Sequence, residues 1–233
     1  MTTAITTITT PSMTTVMITD AHLLRLQTWL SPAFPVGAFS YSHGLETVIV
    51  DGVVANPDAL TAWISGLVEF GSAWTDAVLF AAAWRAAGDA SVLAEVAELA
   101  QALCPSLERR RETLSQGEAF LIAAGAWGQT PLFGPIAYPV AVGAVCGAAG
   151  VPLRPALAAW LQAFAANLVS VAVRFVPLGQ TQGVAVIAGL APLLLATAER
   201  AAASTLDDLG AASLVSDIAA MRHETLSTRI FIT

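Results

Sequence analysis

Residues 30–46, LSPAFPVGAFSYSHGLE, decide how the rest of the chain is read. Pro32, Pro35, Gly37 and Gly44 forbid a continuous helix, yet Phe34, Phe39 and Tyr41 carry aromatic bulk that a solvated linker would lack. The segment therefore reads as a structured, packed loop between two helices. Ser31 before Pro32 ends the first helix, and Gly37 is suited to a positive φ. Ser40 or Ser42 is expected to cap the second helix, which runs over about 40–50 and stops near Gly52. A loop this hydrophobic needs something to dock against.

Working outward, residues 1–19 hold nine threonines and no charge, which reads as a disordered Thr-rich leader with neither a cationic signal head nor an Arg-rich transit pattern. Asp20 is expected to cap a helix carrying Leu23, Leu26, Gln27 and Leu30 on one stripe. Beyond the loop, Asn56-Pro57 marks a helix start, followed by the apolar stripe Leu60, Ile64, Leu67, Val68 and a stop at Gly71. Further helices are expected over 74–87 and 91–103. The charged run SLERRRETLSQGEAF, capped by Ser106, should continue helically to about Trp127. After a Pro/Gly-rich connection at 128–139, helices are expected over 140–149, 155–173 and 181–202, with a turn near 206–209 and a last helix over 214–223. No stretch alternates with period two. The fold class is all-α: one helical bundle of about nine helices over 20–221, with a tail at 222–233.

The composition carries the next step. Of 233 residues, 56% are hydrophobic and 12% charged, and the mean hydropathy is +0.69. That is more apolar surface than one core consumes, so the surplus must face lipid or protein. The net charge is −7 and every basic residue is Arg. Phosphate-loop and Schiff-base lysines are excluded, as is a basic stripe for nucleic acid. Cys104 and Cys146 form no zinc pattern and read as a reduced pair.

Lipid is the alternative reading, because uncharged runs of 35, 19 and 24 residues follow Glu118, Arg154 and Arg174. Glycines and prolines break the first, and Gln162 and Asn167 interrupt the second. In the third only residues 183–198 are apolar, a run that contains Pro192 and falls short of a span. His223-Glu224 lacks the second histidine of a zinc protease, since Ser227 stands there, and no nucleophile elbow occurs. An enzyme finds no support, and neither a cofactor nor a metal ligand set is expected.

Among the charged residues, Arg109 and Arg110 read as a solvated face. Arg111, Glu112, Ser115 and Glu118 share another side and suit a polar seam at an interface. Arg174, in an apolar helix, needs a carboxylate or several carbonyls. GQTQG at 179–183 reads either as a helix cap using the Thr181 hydroxyl or as a polar contact loop.

Four landmarks in order resemble the UreF family of urease accessory proteins: LSPAFPVGAFSYSHGLE, the Arg110, Glu112, Gly117 spacing, PLGQT at 177–181, and HETLSTRIF at 223–231. The chain departs from the family pattern at His43, where Gln is frequent, and in its last residues, Ile230 to Thr233. The resemblance implies an all-helical, dimeric, non-catalytic cytoplasmic chaperone. It would bind UreD, called UreH in some systems, and recruit the GTPase UreG to apo-urease, coupling GTP hydrolysis to nickel delivery. It also implies partner-binding residues: Phe39, Tyr41 and Glu46 at the dimer and UreG-facing surface, Gln180 and Thr181 in the contact loop, and His223, Glu224, Arg229 and Phe231 in a loosely held tail ordered by UreD. Nickel is expected to pass through the assembly without residing on this chain.

Overall fold

The computed structural model describes residues 17–128, 130, 132, 134–210 and 212–232. Residues 1–16 of the expected leader lie outside them. The described chain is all-helical. Ten α-helices follow one another: α1 (Asp20–Trp29), α2 (Leu45–Val50), α3 (Pro57–Phe70), α4 (Ser72–Arg85), α5 (Ala90–Ala102), α6 (Leu107–Ala124), α7 (Tyr138–Ala148), α8 (Leu153–Phe175), α9 (Gln180–Ala203) and α10 (Leu214–His223). Single 3-10 turns lie at Ala38–Ser40, Gly125–Trp127 and Leu206–Asp208.

The core is built on α4 and α7. Every α7 residue from Pro139 to Cys146 is buried, and α7 packs most extensively on α4. Small residues at helical spacing allow this closeness: a Cβ on Gly143 would lie 2.4 Å from the Phe80 carbonyl oxygen, and one on Gly147 would lie 2.4 Å from that of Trp84. On the other flank, Gly117 of α6 meets the backbone before α7, where a Cβ would stand 1.7 Å from the Ile136 oxygen. Thr113 Oγ1 accepts the Tyr138 N–H at 3.0 Å beside it. The long pair α8 and α9 packs along itself and against α3 and α4, while α10 closes over α2 and α6.

Helix starts follow local chemistry, with corrections. Asn56 caps α3 through the Ala59 N–H at 2.9 Å, and Ser106 caps α6 through Arg109 N–H at 3.2 Å, as expected. Thr19, not Asp20, caps α1, because its hydroxyl accepts the His22 N–H while His22 Nδ1 accepts from Thr19. Thr181 does not cap α9; the cap is Gly179, whose N–H is taken by Gln182 Oε1 at 3.0 Å. The expected helix over 181–202 is α9, which passes through Pro192.

The second helix also starts later than Ser40 or Ser42 suggested. Gly37 has the expected positive φ of 69°, but the chain turns again at His43 (φ 52°) and Gly44 (φ 74°) before α2 begins. Gly44 is required twice, by its left-handed backbone and because a Cβ there would lie 2.9 Å from Ala220 N in α10.

Candidate functional site

The turn at His43-Gly44 aims the first residues of α2 at α10. Thr47 Oγ1 donates to the Ala219 carbonyl at 3.1 Å, and Glu46, only 1% exposed, reaches past it. One Glu46 oxygen accepts the Ile230 N–H at 2.9 Å; the other accepts the Phe231 N–H at 3.1 Å and faces His223 Nε2 at 2.9 Å. His223 is fully buried, and its Nδ1 faces Glu108 Oε2 at 2.9 Å. Arg229 Nη1 completes the cluster on Glu108 Oε1 at 2.6 Å. Each ring nitrogen of His223 thus meets a carboxyl oxygen from a different helix, so α2 and α6 are both tied to the end of α10.

This cluster corrects the expectation of a loosely held tail. Phe231 is 4% exposed and packs on Phe175 with ring centroids 5.3 Å apart, while the guanidinium of Arg174 lies 5.8 Å from its centroid. The Ile232 N–H donates to the Ser40 carbonyl at 2.8 Å. Side chains along this strap alternate: Ile230 and Ile232 face out and Phe231 faces in. Arg174 is not a buried charge in search of a carboxylate. It is exposed near the end of α8, and its Nη1 reaches the Phe39 carbonyl at 3.5 Å.

A second charged cluster joins α4, α6 and the signature turn. Arg109 Nη1 pairs with Glu112 Oε2 at 2.6 Å, its Nη2 lies 3.7 Å from Asp76 Oδ2, and His43 Nε2 lies 3.2 Å from Glu112 Oε1. Burial pushes the His43 imidazole down to about 4, against the attraction of Glu112 and with the help of Arg109. The ring is therefore neutral near pH 7, donates from Nε2 and leaves Nδ1 without a hydrogen-bond partner among the described residues. Burial likewise raises the Asp76 carboxyl to about 6, opposed by Arg109 and reinforced by Glu112. The same two causes, burial and then Glu112, raise the Tyr41 hydroxyl. An open groove of about 830 Å³ lies beside this cluster, between α1, the signature loop and α8, lined by Leu30, Phe39, Phe164 and Arg174 as well as His43 and Glu112.

The expected polar seam is shifted by one helical face. Arg111 and Ser115 are exposed, and Arg109, Glu112, Thr113 and Gln116 are buried. The signal was present: the stripe through Arg109, Thr113 and Gln116 continues into Gly117, Phe120 and Ala124, whereas that through Arg111 and Ser115 continues into exposed Ile122. Glu108, His43 and Asp76 were missed because their partners lie far away in sequence. Of the expected partner-binding residues, the structure gathers Glu46, His223, Arg229 and Phe231 in the first cluster, with Glu224 at its rim accepting the Glu108 N–H at 3.4 Å. Glu46, His223 and Phe231 are turned inward. Tyr41 is half-buried, with its carbonyl accepting from Asn167 Nδ2 at 3.2 Å. Phe39 is 59% exposed, and Gln180 and Thr181 lie exposed at the start of α9, away from the cluster. Among the described residues no group of His, Cys, Asp and Glu is arranged to hold a metal ion.

The family model for UreF matches residues 54–191. The chain is 53% identical over 213 residues to the urease accessory protein UreF of Mesorhizobium japonicum, covering 90% of this chain and 95% of that one. It is 52% identical to urease accessory protein UreF 1 of Brucella canis, covering 90% and 93%, and 52% identical to UreF of Rhizobium etli, covering 90% and 95%.

Proposed function

The chain belongs to the UreF family of non-catalytic urease accessory proteins, and from that premise we propose that it bridges UreD (UreH) and the GTPase UreG on apo-urease, regulating GTP-dependent nickel insertion. On this reading it works in the cytoplasm as a homodimer, with protein partners only: no membrane, no nucleic acid and no cofactor of its own.

What carries the reading is apolar surface that the fold leaves facing outward in ordered patches. Along α10, Leu214, Ile218 and Met221 are exposed at helical spacing, with Val215 beside them; Ile230 and Ile232 project from the strap, and Phe39 projects from the signature loop. Scattered apolar side chains need no explanation, but rows on one helix face suit a partner. The buried members of the expected set then act by shaping these surfaces: Glu46 and Phe231 hold the strap so that Ile230, Ile232, Arg229 and Glu224 are presented to UreD. Gln180 and Thr181 offer polar groups at a separate edge.

Co-expression with UreD, UreG and apo-urease, followed by size-exclusion chromatography, tests this. The full chain is expected to elute with UreD and UreG, and a chain ending at Leu226 to lose UreD while staying folded. Phe39→Ala is expected to keep UreD and to lower the UreG fraction. A truncated chain that carries UreD as fully as the intact one, or a tight stoichiometric nickel site on the isolated chain, contradicts the proposal.

A further inference from the structure

We infer that the exposed face of α6 is a contact with a second copy of this chain, in which two α6 helices run antiparallel about a two-fold axis beside Leu114 and Ser115. The face is a single stripe. Leu107, Arg111, Ser115, Glu118 and Ile122 recur at steps of three or four along the helix, and all are exposed, Leu107 at 53% and Ile122 at 76%. The opposite side, through Arg109, Thr113, Gln116 and Phe120, is buried in the bundle.

Each of these side chains alone is ordinary surface, and their order is what selects the partner. Arg111 and Glu118 stand equally far from the midpoint between Leu114 and Ser115, and so do Leu107 and Ile122. Turning one helix end for end about that point lays Arg111 of each copy against Glu118 of the other, and Leu107 of each against Ile122. At roughly 1.5 Å per residue the charged pairs lie level about 5 Å from the axis and the apolar pairs about 11 Å from it.

Neither charge has a partner within the chain. Arg109, Glu112 and Glu108 of the same helix are all paired, whereas Arg111 and Glu118 make no ion pair among the described residues. Seven residues apart, about 10.5 Å along the axis, they cannot reach each other. A parallel pairing would set Arg on Arg and Glu on Glu, so charge fixes the antiparallel sense, and Ser115 leaves room for close approach at the centre. One helix pair spanning about 24 Å stands at the low end of interface sizes, so the association depends on concentration. This gives the homodimer of the proposed function a surface and rests on that reading for its use, but the contact is a property of the chain alone.

Sedimentation velocity on the full-length chain between about 5 and 300 µM tests it. The parent is expected to self-associate. Arg111→Glu and Glu118→Arg each turn both attractive pairs into repulsive ones, and each is expected to weaken association at least about tenfold. An equimolar mixture of the two variant chains again sets opposite charges across the contact and is expected to associate within about threefold of the parent. If a charge variant does not fold, Ser115→Cys gives a second reading: on oxidation it is expected to link two copies at a yield that the parent, with Cys104 and Cys146, does not reach. Single variants that associate as the parent does, a mixture no tighter than either variant alone, or Ser115→Cys chains that link no better than the parent would overturn the α6 contact and leave the bridging of UreD and UreG standing. Self-association through α6 in a chain that never elutes with UreD supports the contact and sinks the bridging reading alone.

Discussion

His43 and Asp76 share the Arg109–Glu112 pair and are displaced in opposite senses. The unfolded chain protonates His43 near 6.5, whereas the folded chain keeps the ring neutral down to about 4. The stability this contributes is complete above pH 6.5 and is lost as pH falls toward 4. Asp76 works the other way: its folded carboxyl holds a proton up to about 6, against 3.8 when unfolded. That contribution is complete below pH 3.8 and is lost as pH rises through 6. Between pH 4 and 6 the two slopes oppose each other, each on the order of 1.4 kcal/mol per pH unit. Relative to the parent, His43→Gln is therefore expected to gain stability as pH falls from 7 to 4, by on the order of 3 kcal/mol, and Asp76→Asn to lose a similar amount. Urea midpoints at pH 7, 5.5 and 4 check this; three parallel curves would show that neither group titrates as described. None of this was legible in the sequence, where His43 stands 33 residues before Asp76 and 69 before Glu112. Only folding makes them neighbours, and burial then sets the direction of each shift.

Elements were far more legible than sites, and the reason is visible in α3 and α6. Both carry a capping side chain and a local stripe, so sequence-adjacent chemistry sets their starts. The start of α2 was misplaced because it is set by a tertiary contact, the approach of α10 to Gly44. The Arg110, Glu112, Gly117 spacing is explained at the same scale. Gly117 is the point where α6 meets the backbone before α7, and the atom facing it is a main-chain oxygen that cannot rotate away. Gly117→Ala is expected to lower stability by about 2–3 kcal/mol or to prevent folding, read from the urea midpoint. Gly189→Ala is the matched control: it lies inside α9 with nothing within 4 Å of an added methyl, and helix propensity alone should stabilise by about 0.5–1 kcal/mol. If the two substitutions shift the midpoint equally, close approach is not what Gly117 provides.

For the whole molecule the question is what covers the apolar surplus. Among the described residues, α8 and α9 are each long and apolar enough to cross a membrane. Their fastenings argue for protein. Arg200 donates to the Glu69 carbonyl at 2.8 Å and sits 3.9 Å over the Trp74 ring, Arg85 donates to the Ala202 carbonyl at 2.7 Å, and Arg154 pairs with Glu199. Moving α9 into lipid would strip these partners from Arg200 and Glu199, a cost of several kcal/mol. Little would offset it, because the outward face of α9 is largely Ala and Gly, with Val184 and Leu195 its large exposed side chains. Small side chains gain little from hydrocarbon but let another protein approach closely. In a nonionic-detergent phase separation the chain is therefore expected in the aqueous phase, and it should stay there when α9 is made more apolar by Gln182→Leu. Recovery of the parent chain in the detergent phase would put α8 and α9 in lipid and remove the case that other proteins cover the surplus.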